Sequence, residues 1–407
     1  MVADFASTDI KIMLAAGEAS GDLHGAALAA ELLRRRPDLE LFGMGGVKMR
    51  EAGVKLLFNP TTLSTIGFAE ALKNAHLLRR VLARFGEAIA AEKPAAVVLI
   101  DYPGFNMRLA EMAHAAGVPV AFYFSPSAWA WGRGRADRVA RSAAKVLAVF
   151  PFEADVYRAA GCDVEFVGHP LLDIVPADLS RDAARRALGL PDDDAPDAAA
   201  GGGRRGRRTV ALLPGSRKQE IETLLPPMLE AARLLGEGYR FVIPIAPTID
   251  RAEVEHHINR CRGQAGLDIR LGEGLVHEVL AASDLAITAS GTATLEAAIL
   301  GTPMIIVYRV SGSTYLLAKM VLRVPFIGLP NIVAGRVVVP ELVQHEATPG
   351  KIAACARALL DDPERLAAMR RDLLEVHQRL GEPGAVGRAA ASILQMASAR
   401  QGRGAGQ

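Results

Sequence analysis

Short, unbroken aliphatic runs recur along this sequence, and they constrain the fold more than any other feature. Each run is followed by an amphipathic or alanine-rich segment with a helical pattern. Continuous apolar runs are typical of strands that are buried on both faces, whereas half-exposed strands alternate polar and apolar residues. Because alternating strands and helices form parallel sheets with crossover helices, the sequence predicts an α/β fold. The runs are IKIMLAA, AAVVLID, VPVAFYF, KVLAVF, TVALLPG, YRFVIPI, DLAITAS and TPMIIVY.

The chain is predicted to form two similar halves. Its length of 407 residues favours two domains. IMLAAGEASGDLHG near the start and VALLPGSRKQEI in the middle share one pattern, a strand, then a glycine with small polar residues, then a helix. We therefore predict domains over 1–176 and 177–365. The segment 191–208 (PDDDAPDAAAGGGRRGRR) has no large apolar side chain to bury and is predicted to be a flexible insertion, and 399–407 a disordered tail.

The composition argues against several classes of protein. A net charge of +2 gives no global basic field for nucleic acid. The three cysteines lie far apart, without a CxxC motif or a histidine at zinc spacing, so disulfides and structural zinc are not expected. The N-terminal stretch has no basic region typical of a signal peptide, and no apolar run approaches the roughly 18–20 residues that span a bilayer. If the protein meets a membrane, we expect it to lie on the surface.

Asp101 directly follows the aliphatic run AVVLI and precedes Tyr-Pro-Gly. The carboxyl ends of buried parallel strands are where α/β sheets bind ligands. From the residues alone, Asp101 could be a turn residue, a helix cap, a metal ligand or a catalytic base. A second strand end lies at 15–25 (AAGEASGDLHG), where a capped helix and a ligand-binding crevice are both open. That segment is neither GxGxxG nor GxxxxGK[ST], so a dinucleotide site and a P-loop are not favoured.

The segment LLPGSRKQEIETLL is predicted to bind phosphate. Gly215 would let backbone N–H groups face a ligand, Ser216 can cap the helix or donate a hydrogen bond, and Arg217 brings a positive fork. Backbone donors, a helix dipole and a guanidinium together suit a phosphate. The alternative is an ordinary capped turn with an exposed arginine.

A second loop of the same kind follows in ITASGTATLEAAILGTP. A strand ends at Ser290, Gly291 and Thr292, where a helix begins, and Glu296 lies one turn into that helix. A carboxylate there could accept hydrogen bonds from two vicinal hydroxyls, such as those of a ribose. The alternative is a helix cap with a solvated glutamate.

Two further segments are ambiguous. On a helical projection of 63–90, Phe68, Leu78, Leu82 and Phe85 share an apolar face beside basic residues. This pattern is typical of a core-facing helix, but also of an interfacial helix that enters anionic lipid. In the segment 123–146, two tryptophans precede a run of arginines, which fits core packing or, less well given the net charge, single-stranded nucleic acid.

Taken together, these motifs resemble the lipid-A-disaccharide synthase family of glycosyltransferases, from about Ile10 to about Leu380. The matching stretches are AGEASGD, IDYPGFN, SPSAWAW, PFE, VGHPL, LLPGSR, ASGTATLE and LPNIVAGR. The resemblance implies a GT-B architecture, two Rossmann-like parallel-sheet domains facing across a cleft. It also implies that helices within 366–398 cross back to the first domain.

The resemblance implies transfer of 2,3-diacylglucosamine from its UDP form to 2,3-diacylglucosamine 1-phosphate, giving a β-1,6-linked disaccharide phosphate and UDP. It implies no metal or other cofactor, no nucleic-acid partner, and a cytoplasmic protein bound peripherally to the inner membrane. Monomer and homodimer both stay open. Rival interpretations with the same fold are a UDP-N-acetylglucosamine 2-epimerase and a peptidoglycan-type glucosaminyltransferase.

The resemblance also assigns roles to residues. Inversion of an α-linked donor by direct displacement needs one base for the acceptor hydroxyl, and we predict Asp101 for it. Ser216, Arg217 and the loop 290–292 would meet the leaving diphosphate, and Glu296 the ribose. The family pattern further places Asn331 near the donor, Glu18 and Ser20 on the acceptor side and, less specifically, Gln344 in the site.

Overall fold

The computed structural model describes residues 10–60, 75–126, 133–191, 207–262, 266–310 and 325–404. The chain divides into two compact units. Unit 1 comprises Met1–Asp173 with Gly381–Gln407, and unit 2 comprises Ile174–Leu380.

Unit 1 is built on a parallel sheet of seven described strands in the order β3-β2-β1-β4-β5-β6-β7. From β1 the chain first adds β2 and β3 on one side of the sheet and then returns to add β4 to β7 on the other side. Open α/β sheets bind ligands at this change in strand order, which lies between β1 and β4. The strands are β1 (Ile10–Ala16), β2 (Leu39–Met44), β3 (Lys55–Phe58), β4 (Ala96–Ile100), β5 (Val120–Tyr123), β6 (Lys145–Ala148) and β7 (Val164–Phe166). The helices are α1 (Ala19–Arg35), α2 (Val47–Glu51), α3 (Ala75–Glu92), α4 (Pro103–Ala115), α5 (Arg133–Ser142), α6 (Pro151–Ala159), α7 (Leu171–Ile174) and, after unit 2, α16 (Ala385–Gly404).

Unit 2 repeats the plan with six described parallel strands in the order β10-β9-β8-β11-β12-β13. The change in strand order here lies between β8 and β11. The strands are β8 (Arg208–Leu213), β9 (Tyr239–Ile245), β10 (Asp268–Glu273), β11 (Leu285–Ala289), β12 (Met304–Tyr308) and β13 (Glu341–Val343). The helices are α8 (Arg181–Ala187), α9 (Lys218–Leu235), α10 (Arg251–Arg262), α11 (Val276–Ala281), α12 (Ala293–Ile299), α13 (Leu329–Ala334), a 3-10 turn (Gln344–Glu346), α14 (Pro349–Leu360) and α15 (Pro363–Arg379).

The prediction of two parallel-sheet α/β domains is confirmed, and every predicted aliphatic run contains a strand. The central strands β4 and β11 are buried at every position, as continuous apolar runs require. Register places the strand ends together. Ala16 pairs with Ile100 and Ile100 with Tyr123 in unit 1, while Thr288 pairs with Leu213 in unit 2.

The division between the units differs from the predicted boundaries at several points. Unit 1 stops at Asp173, and the segment 366–398 is shared, because α15 belongs to unit 2 and α16 to unit 1. There α16 packs against α1 and β4. It continues to Gly404, so the first part of the tail predicted to be disordered is helical. Of the predicted insertion, 192–206 lies outside the described residues, and Arg208 already begins β8.

The apolar face of α3 belongs mainly to the core. Phe85 is fully buried in a cluster with Phe105 and Phe122, so it is a core residue and not part of an exposed lipid-binding face. Leu78 and Leu82 are half-buried at the edge of that cluster, and Phe68 lies outside the described residues. Within the described part of the chain, no helix has the length and apolar character to cross a membrane.

Candidate functional site

Asp101 lies in a strained loop at the carboxyl end of β4. Asp101 has a φ of 52° and Tyr102 a φ of 51°, the left-handed region that non-glycine residues rarely occupy. Each such residue costs about 1–2 kcal/mol. The helix α4 begins at Pro103 with Tyr102, and not Asp101, at the N-cap position. Strain of this kind persists only where the surrounding structure imposes it, and it is concentrated at functional sites.

Two groups hold this loop. The Asp101 N–H donates to the Phe124 carbonyl at 3.1 Å, and Phe124 itself has a φ of 57°. The Asn106 Nδ2 donates to the carbonyls of Asp101 at 2.6 Å, Ala15 at 3.1 Å and Ile100 at 3.3 Å. The fully buried Asn106 therefore ties together the ends of β1 and β4 and the strained residue. Sequence reasoning assigned it no role, although an asparagine in the first turn of an apolar helix is a usable signal.

Replacing Asn106 by alanine is expected to lower the free energy of unfolding by about 2–4 kcal/mol, because buried carbonyl oxygens lose their donor. Urea denaturation monitored by circular dichroism measures this. Asn259, an exposed asparagine on α10, is the matched control, and Asn259→Ala should have little effect. Equal unfolding curves for the two variants would show that Asn106 does not hold the loop.

The start of α1 lies next to the Asp101 loop. A Cβ atom on Gly17 would collide with the Tyr102 ring, so the two loops approach as closely as glycine allows. Glu18 is the N-cap residue of α1, and Ser20 follows in its first turn, partly buried. Burial raises the pKa of the Tyr102 hydroxyl, and the negative charge of Glu18 adds to this shift. The structure thus brings Glu18 to the same edge as Asp101.

A second carboxyl group lies near Asp101 and was missed as a site residue. Glu153, in the PFE motif at the start of α6, is 2% exposed. Burial raises its pKa to about 8, the charge of Asp101 adds to the increase, and the N–H groups of Val149 and Phe150 oppose it. At neutral pH Glu153 is therefore mainly protonated. Glu153 could not be recognised as a site residue from the sequence, because its raised pKa results from burial and not from its spacing to other residues.

In unit 2 the predicted phosphate loop is partly occupied by the protein itself. Gly215 has a φ of 123°, and a Cβ atom there would collide with the Glu220 carboxylate. That carboxylate accepts hydrogen bonds from the N–H groups of Ser216 at 2.9 Å and Arg217 at 3.2 Å. The expectation that these amides face a ligand is therefore wrong in this structure. The Arg217 side chain is 68% exposed and its guanidinium lies 3.8 Å from the Glu220 carboxylate, so the guanidinium is the positive group at the surface of this loop.

The second predicted loop follows β11. It lies beside the first loop, which follows β8, because β8 and β11 are paired strands. The Ser290 hydroxyl donates to the Ile327 carbonyl at 3.1 Å, which links this loop to the segment before α13. Gly291 is exposed, with open space where a side chain would be. Thr292 is the N-cap residue of α12, and its side chain makes no capping hydrogen bond.

Asn331 is a structural residue and not a direct ligand of the donor. Its Nδ2 donates to the Val339 carbonyl at 2.9 Å and to Glu341 at 2.7 Å, while its Oδ1 accepts from the N–H groups of Val338 and Val339 at 2.7 and 3.0 Å. Since the side chain is fully buried and its donors and acceptors are all used, Asn331 can influence a ligand only through the loop it holds.

Gln344 is likewise engaged. Its φ is 54°, and its side-chain amide pairs with the Val310 backbone, accepting at 3.2 Å and donating at 3.1 Å. It therefore orders the end of β12.

Glu296 lies one turn into α12, as predicted, and is half-buried. Burial raises the pKa of its carboxyl group to about 7. Raised pKa values of buried carboxyl groups are typical of functional sites. Among the described residues, no cluster of three His, Cys, Asp or Glu side chains could hold a metal ion.

The raised pKa of Glu296 predicts pH-dependent binding of UDP. Ribose hydroxyls donate to the ionised carboxylate, so affinity should increase about tenfold from pH 6 to pH 8 as this group ionises around 7. The linkage to stability has the opposite sign, because a carboxyl pKa raised by folding makes the folded state less stable as pH rises from 4.5 to about 7. Calorimetric titration with UDP measures the affinity. Glu296→Gln should bind more weakly and lose the pH dependence; an unchanged pH dependence would exclude the ribose role.

Comparison with known proteins agrees with these features. The model of the lipid-A-disaccharide synthetase family matches residues 12–395. The lipid-A-disaccharide synthase of Myxococcus xanthus is 45% identical over 389 residues, covering 95% of this chain and 97% of the relative. That of Syntrophus aciditrophicus is 42% identical over 388 residues, with the same coverage.

Solved structures with much lower identity share the fold. The Neisseria meningitidis UDP-GlcNAc 2-epimerase bound to UDP-GlcNAc has a TM-score of 0.63 at 12% identity, covering 95% of this chain and all of that one. Acinetobacter baumannii MurG has a TM-score of 0.58 at 14% identity, covering 95% and 99%. These neighbours support the GT-B fold, and the family follows from the near full-length match and the identity above 40%. The chain belongs to the lipid-A-disaccharide synthase family, and it is a glycosyltransferase.

Proposed function

We propose that the protein condenses UDP-2,3-diacylglucosamine with 2,3-diacylglucosamine 1-phosphate, giving the β-1,6-linked disaccharide 1-phosphate and UDP. The observation that carries this proposal is the family match over residues 12–395. The alternatives with the same fold, an epimerase or a peptidoglycan-type transferase, are not favoured, because their structures match at 17% identity or less.

The chemistry is an inverting displacement. The acceptor 6-hydroxyl attacks C1 of the donor, the C1–O bond to the diphosphate breaks, and the hydroxyl proton passes to the Asp101 carboxylate. Asp101 suits this role because it lies at the ligand-binding edge of the sheet and its neighbour Glu153 is mainly protonated. The hydroxyl of Ser216 and the guanidinium of Arg217 stabilise the departing UDP, and Glu296 holds its ribose. We propose that no metal ion takes part.

The test is to incubate purified protein with the UDP-diacylglucosamine donor, with and without the lipid phosphate acceptor, in EDTA. UDP and the disaccharide phosphate should form only when both substrates are present. Conversion of the donor without acceptor would indicate an epimerase, and transfer to a lipid II precursor would indicate the peptidoglycan-type enzyme. Activity that EDTA abolishes and Mg²⁺ restores would overturn metal independence.

We further propose that the protein binds the cytoplasmic surface of the inner membrane, where both lipid substrates would be reached. Support comes from α3, on which Leu78 and Leu82 are half-buried beside the exposed Arg79, Arg80 and Arg84. Cations near an anionic bilayer contribute up to about 1 kcal/mol each.

Replacing Arg79, Arg80 and Arg84 together by glutamine should weaken binding to phosphatidylglycerol vesicles about tenfold at low salt. Co-sedimentation measures this. Lys48, Arg50 and Lys55 are exposed cations of the same unit, and their triple glutamine variant is the charge-matched control. Equal losses in the two variants would indicate general electrostatics and no specific membrane role for α3.

A further inference from the structure

A cluster of four rings, three of them buried and that of Phe124 half-buried, lies at the carboxyl edge of the unit 1 sheet, and the proposed chemistry does not use it. His24 comes from α1, Phe124 follows β5, Phe150 follows β6, and His169 follows β7. The His24 and Phe124 rings are stacked, with centroids 4.2 Å apart and planes at 19°. His169 meets Phe124 edge-on, with centroids 5.7 Å apart, and its ring is tilted at 45° to that of Phe150, with centroids 5.0 Å apart. The cluster therefore joins helix α1 to the loops that follow β5, β6 and β7.

The cluster holds the residue that contacts the backbone of Asp101. Phe124 has a φ of 57°, which is a strained conformation for a bulky aromatic residue. Its carbonyl accepts the Asp101 N–H at 3.1 Å, so one hydrogen bond joins two left-handed residues on adjacent strand ends. A strained backbone conformation persists only where neighbouring groups hold it, so the structure around Asp101 and Phe124 must keep both residues in the left-handed region. The His24 ring, 4% exposed, covers the Phe124 ring directly.

Both histidines are neutral under ordinary conditions. Burial lowers the pKa of His24 to about 4 and that of His169 to about 3. The His169 Nδ1 accepts from the Leu171 N–H at 3.2 Å, which fixes its ring. The stack on Phe124 is therefore an uncharged packing contact, which a similar flat ring can reproduce.

We infer that His24 is a positioning residue for the reaction: its ring, stacked on Phe124, holds the carbonyl that anchors the Asp101 amide and so sets the direction of the Asp101 carboxylate. The inference rests on the proposed role of Asp101 as the base. A displacement of about 1 Å in a catalytic group can cost on the order of 100-fold in rate, so a residue that only aims the base can still have a large effect.

The test compares His24→Ala, His24→Leu and His24→Phe by kcat, by KM for each substrate and by thermal stability. We expect the Ala and Leu variants to lose about 10–100-fold in kcat with KM nearly unchanged, and the Phe variant to recover most of that loss. Leu32→Ala is the control, since Leu32 is fully buried on the same helix, about 12 Å further along it. It should lower thermal stability without lowering kcat.

The same substitutions are then made in the Asp101→Asn background, with long incubations to measure the residual rate. If His24 acts through the Asp101 carboxylate, His24→Ala should lower the residual rate by less than about twofold, because the two losses are not additive. His24→Leu provides the same comparison if the alanine variant does not fold.

Two results would overturn the inference alone: a folded Ala or Leu variant with wild-type kcat, or an undiminished effect of His24→Ala in the Asp101→Asn background. A wild-type turnover of Asp101→Asn itself would overturn the assignment of the base and, with it, the inference. The two failures are therefore distinguishable.

Discussion

Asp101→Asn should lower turnover at least about 100-fold, because an amide cannot take the proton from the hydroxyl of the acceptor sugar. The affinity for UDP should stay within about twofold of the wild-type value. The substitution is well matched to this loop. Asn tolerates the left-handed φ of 52° as well as Asp does, and the hydrogen bonds to the Phe124 carbonyl and from Asn106 involve the Asp101 backbone, which the substitution leaves in place. The loop should therefore keep its conformation while the carboxylate is lost.

Turnover is measured by the rate of UDP release, and the affinity for UDP by calorimetric titration. Thermal unfolding shows whether the variant keeps its stability. Asp137→Asn, an exposed carboxylate on α5, is the matched control and should behave like the wild type. Asp101→Ala is less informative, because alanine disfavours φ > 0 and would add strain to the loss of the carboxylate. Near-normal turnover of Asp101→Asn would exclude it as the base.

Four of the five strands that the sequence analysis missed are edge strands with exposed or half-buried positions, whereas the fifth, β2, is buried at all but one position. The central strands β1, β4, β8 and β11 are continuous apolar runs because both faces are covered. The edge strand β10 has the pattern DIRLGE, with exposed positions, and the edge strands β3, β7 and β13 are short and only partly buried. A short, half-exposed strand carries little hydrophobic pattern, so its sequence does not separate it from a loop.

The position of Asp101 was predictable, but its conformation was not. A carboxylate at the end of a buried strand is visible in the sequence, whereas its left-handed φ depends on the Phe124 carbonyl and on Asn106, which meet it only in the folded sheet. The same holds for Glu153, whose raised pKa results from burial.

For the Asn331 side chain and the backbone amides of Ser216 and Arg217, the sequence predicted contact with a ligand, and the structure shows that these groups are used within the protein. Each has donors that suit a ligand, yet the fold supplies internal partners in Val339, Glu341 and Glu220. Motif resemblance locates a residue in a site without saying whether its hydrogen-bonding groups are available.

Arg217→Ala should weaken UDP binding about 10–100-fold and also lower the rate of transfer. Because Glu220 already occupies the amides of Ser216 and Arg217, the guanidinium is the positive group that this loop presents to a diphosphate. A charge-assisted hydrogen bond contributes about 1.5–3 kcal/mol, which corresponds to that loss of affinity. Arg217→Lys should recover only part of it, since an ammonium lacks the planar fork that meets phosphate oxygens in pairs.

The comparison of UDP with uridine isolates the phosphate contribution. Arg217→Ala should bind uridine as the wild type does, because the nucleoside has no group for the guanidinium to meet, and only the UDP titration should change. Lys218→Ala is the control, since Lys218 is the adjacent exposed cation, with 70% of its side chain exposed, and it lies 3.9 Å from Glu222. An unchanged affinity for UDP, or an equal loss of affinity for uridine and UDP, would exclude the phosphate role. Arg217 would then be an exposed residue of an ordinary capped turn.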